Sequence, residues 1–363
     1  MYIMDIMENE RENEKNNLDT NRRVLDMSLD TNRTLLNDTV LNIEKIKTQN
    51  IVTPRIFKEE TLDENDTESV LSNIKEKQKI NNKYLLKKLI SKGSFGKVYR
   101  VNNLETNEDL VAKIEKCKPY NKVETLAHEA KILHILKDCK NVSKVIWYGT
   151  DEKNNFLVMN NLGKSLNIYI KKYKKFSLKN IGLIVLKLID IFESIHNKGI
   201  IHRDIKPENI LLQNNDINLI DFGLSKSYLK SKKHYPYNDK KSFVGTTRYA
   251  SLNVHKNIAY SRRDDLESLF YVMIYLYFGK LPWQGLNIED KDTQKTVICK
   301  IKEKIKLLDI WQDVPNEYQL FYNNIINLKF EEKPNYTFLK SLIEINFKEN
   351  KITYDINSIF KKN

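Results

Sequence analysis

From residue 81 onward, apolar positions fall first into short stretches and then into longer helical ones. Tyr84–Ile90 and Lys97–Val101 predict two strands around a glycine-containing turn. Leu110–Glu115, Lys144–Tyr148 and Phe156–Met159 predict three more, and Glu124–Leu136 among them has helical periodicity. After Gly163 the pattern is helical, with Ile184, Leu188, Ile191 and Ile195 on one face of Ile181–His196. The apolar run Leu269–Phe278 is far short of the about 18 residues a membrane span requires, so it reads as a buried helix and no membrane partner is expected. A strand-rich part ahead of a helix-rich part predicts an α+β domain over 81–349. Its two lobes are 81–162 and 163–349, and a short tail follows at 350–363.

Residues 1–80 have another character. They are rich in Asn, Asp, Glu and Thr and hold a weak repeat, Leu18-Asp19-Thr20-Asn21-Arg22 returning as Leu29-Asp30-Thr31-Asn32-Arg33. An eleven-residue spacing is near three helical turns, which places Val24, Leu25, Leu35 and Leu36 on one stripe. That stripe reads either as a short docking helix or as a marginal helix in a largely disordered extension, with a polar linker over 53–80. The charge divides at the same place: residues 1–80 carry a net charge of −5 and residues 81–363 one of +18. Low Gly and Pro, 10 and 7 in 363 residues, exclude a collagen-like or linker chain. Cys117, Cys139 and Cys299 lack metal-ligand spacing, which predicts a reducing compartment, cytoplasm or nucleus. Met1–Glu10 lacks the basic start and apolar run of a secretory signal.

Four segments carry candidate chemistry. Ser91-Lys92-Gly93-Ser94-Phe95-Gly96 joins two predicted strands, and glycines there let backbone N–H groups approach phosphate oxygens; a plain glycine hairpin has the same pattern. Val111-Ala112-Lys113 lies on the third strand, where a lysine either meets phosphates or is simply solvated. Glu129, sixteen residues on, is placed on a helix and able to pair with Lys113. His202-Arg203-Asp204-Ile205-Lys206-Pro207-Glu208-Asn209 groups a carboxylate, a lysine and an amide in one loop. Asp204 suits a base or an orienter of a hydroxyl, Lys206 a neutraliser of phosphoryl charge, and Asn209 a metal ligand. Asp221-Phe222-Gly223 follows, and Asp221 is a hard oxygen donor for Mg²⁺. Their joint order matches the signature set of protein kinases.

The later blocks sharpen this. Gly245-Thr246-Thr247-Arg248-Tyr249-Ala250-Ser251-Leu252-Asn253, Ser261-Arg262-Arg263-Asp264-Asp265-Leu266-Glu267-Ser268 and Leu281-Pro282-Trp283-Gln284-Gly285 resemble the casein kinase I family of Ser/Thr protein kinases. So do Leu162-Gly163-Lys164-Ser165-Leu166 and Lys333-Pro334-Asn335-Tyr336, and the resemblance covers about residues 82–349. It implies a bilobal protein-kinase fold and transfer of the ATP γ-phosphoryl to serine or threonine. Asp204 would be the catalytic base, with Lys206 and Thr246 beside it. Lys113 would pair with Glu129 and contact the ATP phosphates, and Asn209 and Asp221 would hold Mg²⁺. The nucleotide site would take in Ile90, Ser91, Gly93, Ser94, Phe95, Gly96, Val98, Val111, Lys113, Met159, Leu162 and Asp221. Asp265 would anchor the catalytic loop or cap its helix.

The resemblance also implies protein substrates with acidic or already phosphorylated contexts, a preference that a basic domain suits. Arg248 would bind the acidic group, with Lys291 or Lys295 as a second contact. A monomer acting without activation-loop phosphorylation is expected, with no specific nucleic-acid partner. Lys230-Ser231-Lys232-Lys233 reads as a phosphate-binding cluster, a nuclear-import signal or a solvated loop. Three positions depart from the family pattern: Ser91 and Phe270 stand where glycine is usual, and Val111 where alanine is. A pseudokinase scaffold, nucleic-acid binding through the basic lobe and the vaccinia-related kinase branch are the rival readings. All the groups the chemistry needs are present, which disfavours the first.

Overall fold

The computed structural model describes residues 79–93, 96–117, 125–151, 153–353, 355 and 359. The N-terminal repeat, the linker up to residue 78 and the loop residues Ser94 and Phe95 lie outside the described residues.

The first lobe is an antiparallel sheet of six strands. They are β1 (Lys79–Ile80), β2 (Tyr84–Gly93), β3 (Gly96–Asn103), β4 (Asp109–Lys116), β5 (Val145–Thr150) and β6 (Asn154–Asn160), in the order β1-β2-β3-β4-β6-β5. The first strand falls on the N-terminal side of the boundary expected at residue 81. Helix α1 (Thr125–Ile135) lies between β4 and β5 in sequence. Alternation along the strands decides what each face carries. On one face Val101, Leu110, Ala112 and Val158 join Ile80 and Tyr84 in a small core, with Trp147 and Phe156 against it. The other face presents Val111, Lys113, Leu157 and Met159. In register Lys113 lies opposite Leu157 and Val98, and Val111 opposite Met159. Leu157 and Met159 belong to the large core that continues into the second lobe with Leu126 and Leu133 of α1.

The second lobe opens with β7 (Lys164–Ser165) and helices α2 (Leu166–Tyr173) and α3 (Leu178–Asn197). Helix α3 was predicted to have one apolar face. Instead it is buried nearly all round, because Leu183, Val185, Leu186, Ile189 and Phe192 fill the remaining directions. Short strands follow: β8 (Ile200–Ile201), β9 (Ile210–Gln213), β10 (Asp216–Leu219) and β11 (Lys226–Ser227). β9 and β10 form a hairpin that β7 extends, and β8 pairs with β11. The loops between these strands carry the two motif segments.

Helices α4 (Leu252–His255), α5 (Arg262–Phe278), α6 (Lys291–Glu303), α7 (Asn316–Ile326) and α8 (Tyr336–Glu349) complete the lobe. At the start of α5 the Asp264 carboxylate accepts from the N–H of Ser261, the N-cap residue, at 2.7 Å. The capping role considered for Asp265 therefore falls to this pair, which frees Asp265 for other contacts. Phe270 is fully buried, its ring 4.5 Å from that of Tyr322 and 6.2 Å from that of Trp311. An aromatic layer of α7 and the loop before it thus fills the space where the related pattern has a bare glycine.

Candidate functional site

The site is assembled from both lobes. Lys113 Nζ on β4 donates to Glu129 Oε1 and Oε2 of α1 at 2.8 and 2.9 Å, and to Asp221 Oδ1 at 2.8 Å. Helix α1 is itself docked on the sheet. Glu115, at the end of β4, accepts from Thr125 Oγ1 at 2.5 Å and from the Leu126 N–H at 3.3 Å, an acidic group at a helix N-terminus. Glu129 reads as an ordinary solvent-facing helix residue when taken alone, yet it is only 2% exposed. Its Oε1 also accepts from the Phe222 N–H at 3.1 Å, so one carboxylate joins the strand lysine to the Asp221-Phe222-Gly223 turn.

The charges in this cluster set one another. Burial alone would lower Lys113, but the charges of Glu129 and Asp221 outweigh it and hold its ammonium above the ordinary lysine range. Burial raises Glu129, and Lys113 opposes that only in part. Asp221 goes the other way: the pull of Lys113 exceeds the burial penalty and keeps its carboxyl below the ordinary range. Asp221 adopts a left-handed backbone, φ +68° and ψ +69°, sparsely populated for a residue with a side chain. Phe222, fully buried and edge-on to His202 at 4.8 Å, is a neighbour that holds it there.

The second half of the site surrounds Asp204. Its Oδ1 accepts from Thr246 Oγ1 at 2.7 Å and from the Thr246 N–H at 3.0 Å. Its Oδ2 accepts from Lys206 Nζ at 2.6 Å, and Lys206 also reaches Thr246 Oγ1 at 3.3 Å. Asn209 Nδ2 donates to the Asp204 carbonyl at 2.9 Å. The loop hangs from Asp265, whose buried carboxylate accepts from the N–H groups of His202 and Arg203 at 2.7 and 2.9 Å and bonds His196 Nε2 at 3.0 Å. Gly245 sits at φ +100°, and a Cβ there would lie 2.6 Å from the Arg203 carbonyl, so the close approach of the Thr246 loop to the Asp204 loop requires glycine.

Between the halves lies a cavity of about 250 Å³ lined by Ser91, Gly93, Gly96, Val98, Lys113, Glu129, Asp204, Lys206 and Asp221. Lys97, Thr125, Leu126, Gly223 and Leu224 complete the lining. Of these, Gly223 belongs to the Asp221-Phe222-Gly223 motif, while the other four were not singled out from sequence; the signal for Leu224 was its place beside that motif, and for Lys97 its place beside the glycine turn. A cavity of this size, with three lysines, two aspartates and a glycine-bearing hairpin above them, suits a phosphorylated ligand.

A protein-family model for the protein kinase domain matches residues 84–343. The chain belongs to the protein kinase family. It is therefore a phosphotransferase that uses ATP and acts on protein substrates, built on the bilobal α+β kinase fold.

The remaining candidates of this kinase are more spread out. Val111, Met159 and Leu162 lie outside the cavity lining, and Ile90 is exposed on β2. Val111 instead packs against the large core opposite Met159, and Met159 and Leu162 are buried. Arg248 is exposed on the loop after Thr246, and its carbonyl accepts from Trp283 Nε1 at 2.8 Å. Lys291 is exposed at the first position of α6. Lys295, one turn on, has its ammonium 4.6 Å from the ring centre of Phe243 and 3.5 Å from Asn257 Oδ1. Among the described residues no helix is long and apolar enough to cross a membrane.

Proposed function

We propose that this kinase is of the casein kinase I type and phosphorylates serine or threonine in acidic or already phosphorylated contexts. The observation that carries the catalytic part is the shared hold on Asp204. Thr246 fixes one carboxylate oxygen and Lys206 the other. A serine or threonine hydroxyl entering beside Oδ2 meets a base whose position is fixed from both sides, with a cation next to it for the phosphoryl in flight. Lys206, two residues after the acid, favours a Ser/Thr acceptor over tyrosine. Lys113, held by Glu129 and Asp221, lines the cavity and would meet the ATP phosphates there. Catalysis is then mainly positioning and charge neutralisation.

Asn209 and Asp221 suit a hard divalent cation such as Mg²⁺. Asn209 has committed Nδ2 to Asp204, which leaves its amide oxygen, and Asp221 has one carboxylate oxygen on Lys113, which leaves the other. The cation, when bound, would neutralise phosphate charge.

Three features support the acidic preference: the exposed Arg248 beside the cavity loop, Lys291 at the start of α6, and the net +18 of residues 81–363. Lys295 is the weaker second contact, since Phe243 and Asn257 already engage it. Activity without activation-loop phosphorylation is part of the same reading. The Arg203 guanidinium already donates to the Leu224 carbonyl at 2.5 Å and lies 5.8 Å from the Tyr260 ring centre, so no phosphate is needed to order it. Turnover is measured on casein and on matched serine peptides with acidic, phosphorylated or neutral residues before the acceptor, with Asp204→Asn as control. Wild-type protein no faster than the control defeats the catalytic claim, and equal rates on all peptides defeat the preference.

A further inference from the structure

Helix α6 reads as a solvated, lysine-rich helix, yet its Lys302 is completely buried. The ammonium donates to the Thr247 carbonyl at 3.1 Å and the Ala250 carbonyl at 2.6 Å, and lies 3.3 Å from His255 Nε2. Two of its three protons thus have backbone carbonyl acceptors, and the third faces His255 Nε2, which itself lies 3.3 Å from the Thr247 carbonyl. The rings of Tyr271 and Trp283 close the remaining sides, 4.5 and 5.0 Å from Nζ. Burying a lone cation costs several kcal/mol unless its surroundings replace water, so this cage is a specific structure rather than a packing accident.

What the cage grips is the segment that follows Thr246. Lys302 holds the carbonyls on either side of Arg248 and Tyr249, and Trp283 Nε1 holds the Arg248 carbonyl between them. The inner surface of this segment is thus fixed by two side chains from beneath, while the Arg248 side chain remains exposed above. At its near end, Thr246 is tied to Asp204.

We propose that Lys302 is a positioning residue for the protein acceptor: it pins Thr247–Ala250 so that this segment, with Arg248, meets the substrate chain in one fixed arrangement beside Asp204. This rests on the reading of the Arg248 loop as the acceptor side of the site. Lys302 touches neither nucleotide nor acceptor, and its effect falls on acceptor binding rather than on ATP.

The test uses the full chain carrying Lys302→Met, which keeps the length and loses the three donors, and Trp283→Phe, which loses the bond to the Arg248 carbonyl and shrinks the ring beside Lys302 while the ammonium itself stays. KM for a serine peptide, KM for ATP, kcat and peptide-free ATP hydrolysis are measured for each, with circular dichroism to verify folding. The expected result for Lys302→Met is a peptide KM raised about tenfold, the scale of a lost hydrogen-bonded contact, with ATP KM and ATP hydrolysis within about twofold. Trp283→Phe shifts peptide KM in the same direction by less. An unchanged peptide KM overturns the proposal, as does a proportional loss in every parameter, the mark of a merely structural role. If Lys302→Met does not fold, Trp283→Phe decides: a raised peptide KM with unchanged ATP KM supports the proposal and its absence overturns it. Arg248→Ala on acidic and neutral peptides separates this from the acidic-acceptor reading. An acidic preference that survives Arg248→Ala ends that reading, while the Lys302 effect on the neutral peptide still stands or falls by itself.

Discussion

Replacing Asp265 by asparagine changes one atom and perturbs the whole catalytic loop. The carboxylate is 1% exposed and takes three hydrogen bonds, two from the consecutive N–H groups of His202 and Arg203 and one with His196 Nε2. Oδ2 serves His202 and His196, and Oδ1 serves Arg203. An amide keeps one of these oxygens and turns an NH₂ toward the other donor. If the oxygen stays with His202 and His196, the Arg203 N–H is left facing another donor in a buried site. One bond to a charged acceptor is lost, about 1.5–3 kcal/mol, and an orphaned N–H adds about 1–3 kcal/mol, while the neutral amide recovers part of the burial cost. A net loss of about 3 kcal/mol in unfolding free energy is expected, measured by urea denaturation. Arg203 also holds a left-handed backbone at φ +71° just before Asp204. Releasing its N–H lets that turn relax and moves the Asp204 carboxylate, and kcat is expected to fall about a hundredfold even in the folded fraction. The pH dependence gives a second readout. Burial alone would raise Asp265, but its bonds to His196 and His202 outweigh it and hold the carboxyl below 3.8. The stability it supplies is complete above the ordinary aspartate value and is lost as pH falls through the depressed one, a loss the asparagine variant lacks. A stability change under about 1 kcal/mol with kcat within about threefold would refute the anchoring argument.

Glu129→Gln is expected to lower kcat/KM about 10- to 100-fold, because one charge-assisted bond to Lys113 goes, while thermal stability holds or rises as a buried carboxylate disappears; unchanged kinetics contradict it. Phe270→Ala is expected to cost about 3–5 kcal/mol in urea denaturation by opening a cavity against Tyr322 and Trp311, and a loss under about 1 kcal/mol counts against the aromatic layer. His255 is pushed down to about 3 by burial, with the Lys302 charge adding to it. It therefore stays neutral when folded while the unfolded chain takes up a proton below 6.5, and stability falls by about 1.4 kcal/mol per pH unit as pH drops from there. His255→Gln should reduce that slope by one proton between pH 6.5 and 4 in urea titrations, and equal slopes in the two proteins rule the assignment out.

The groups around the cavity were legible because their chemistry is compressed into short segments. Asp204, Lys206 and Asn209 lie within six residues, Asp221 opens its own turn, and their order after Lys113 and Glu129 matches the protein-kinase signature. The strand alternation that sets Lys113 and Val111 on one face, with Ala112 on the other, also follows directly from sequence. Helix α3 was placed correctly but its burial was underread, since a stripe is what a surface helix needs and this one is surrounded.

What stayed hidden shares one cause: burial that neighbours impose on polar side chains. Nothing within Thr293-Gln294-Lys295-Thr296-Val297-Ile298-Cys299-Lys300-Ile301-Lys302 marks the last lysine as different from Lys295 or Lys300. Its environment comes from Tyr271 and Trp283, and from carbonyls of a loop more than fifty residues earlier. Glu129 was named as a partner for Lys113, but its burial is the same case with the opposite charge, imposed by Lys113 and the Phe222 N–H. A local window reads a charged residue as solvated because water is the usual way to satisfy it. When the satisfying groups are distant carbonyls, rings or ions, the cost of burial is offset only by the assembled fold. Such residues therefore report on tertiary geometry that the segment containing them does not encode. In the proposed reading Lys302 lies beneath the acceptor loop and Glu129 behind the nucleotide lysine. Each converts a desolvation cost into a fixed position for a group that must not move.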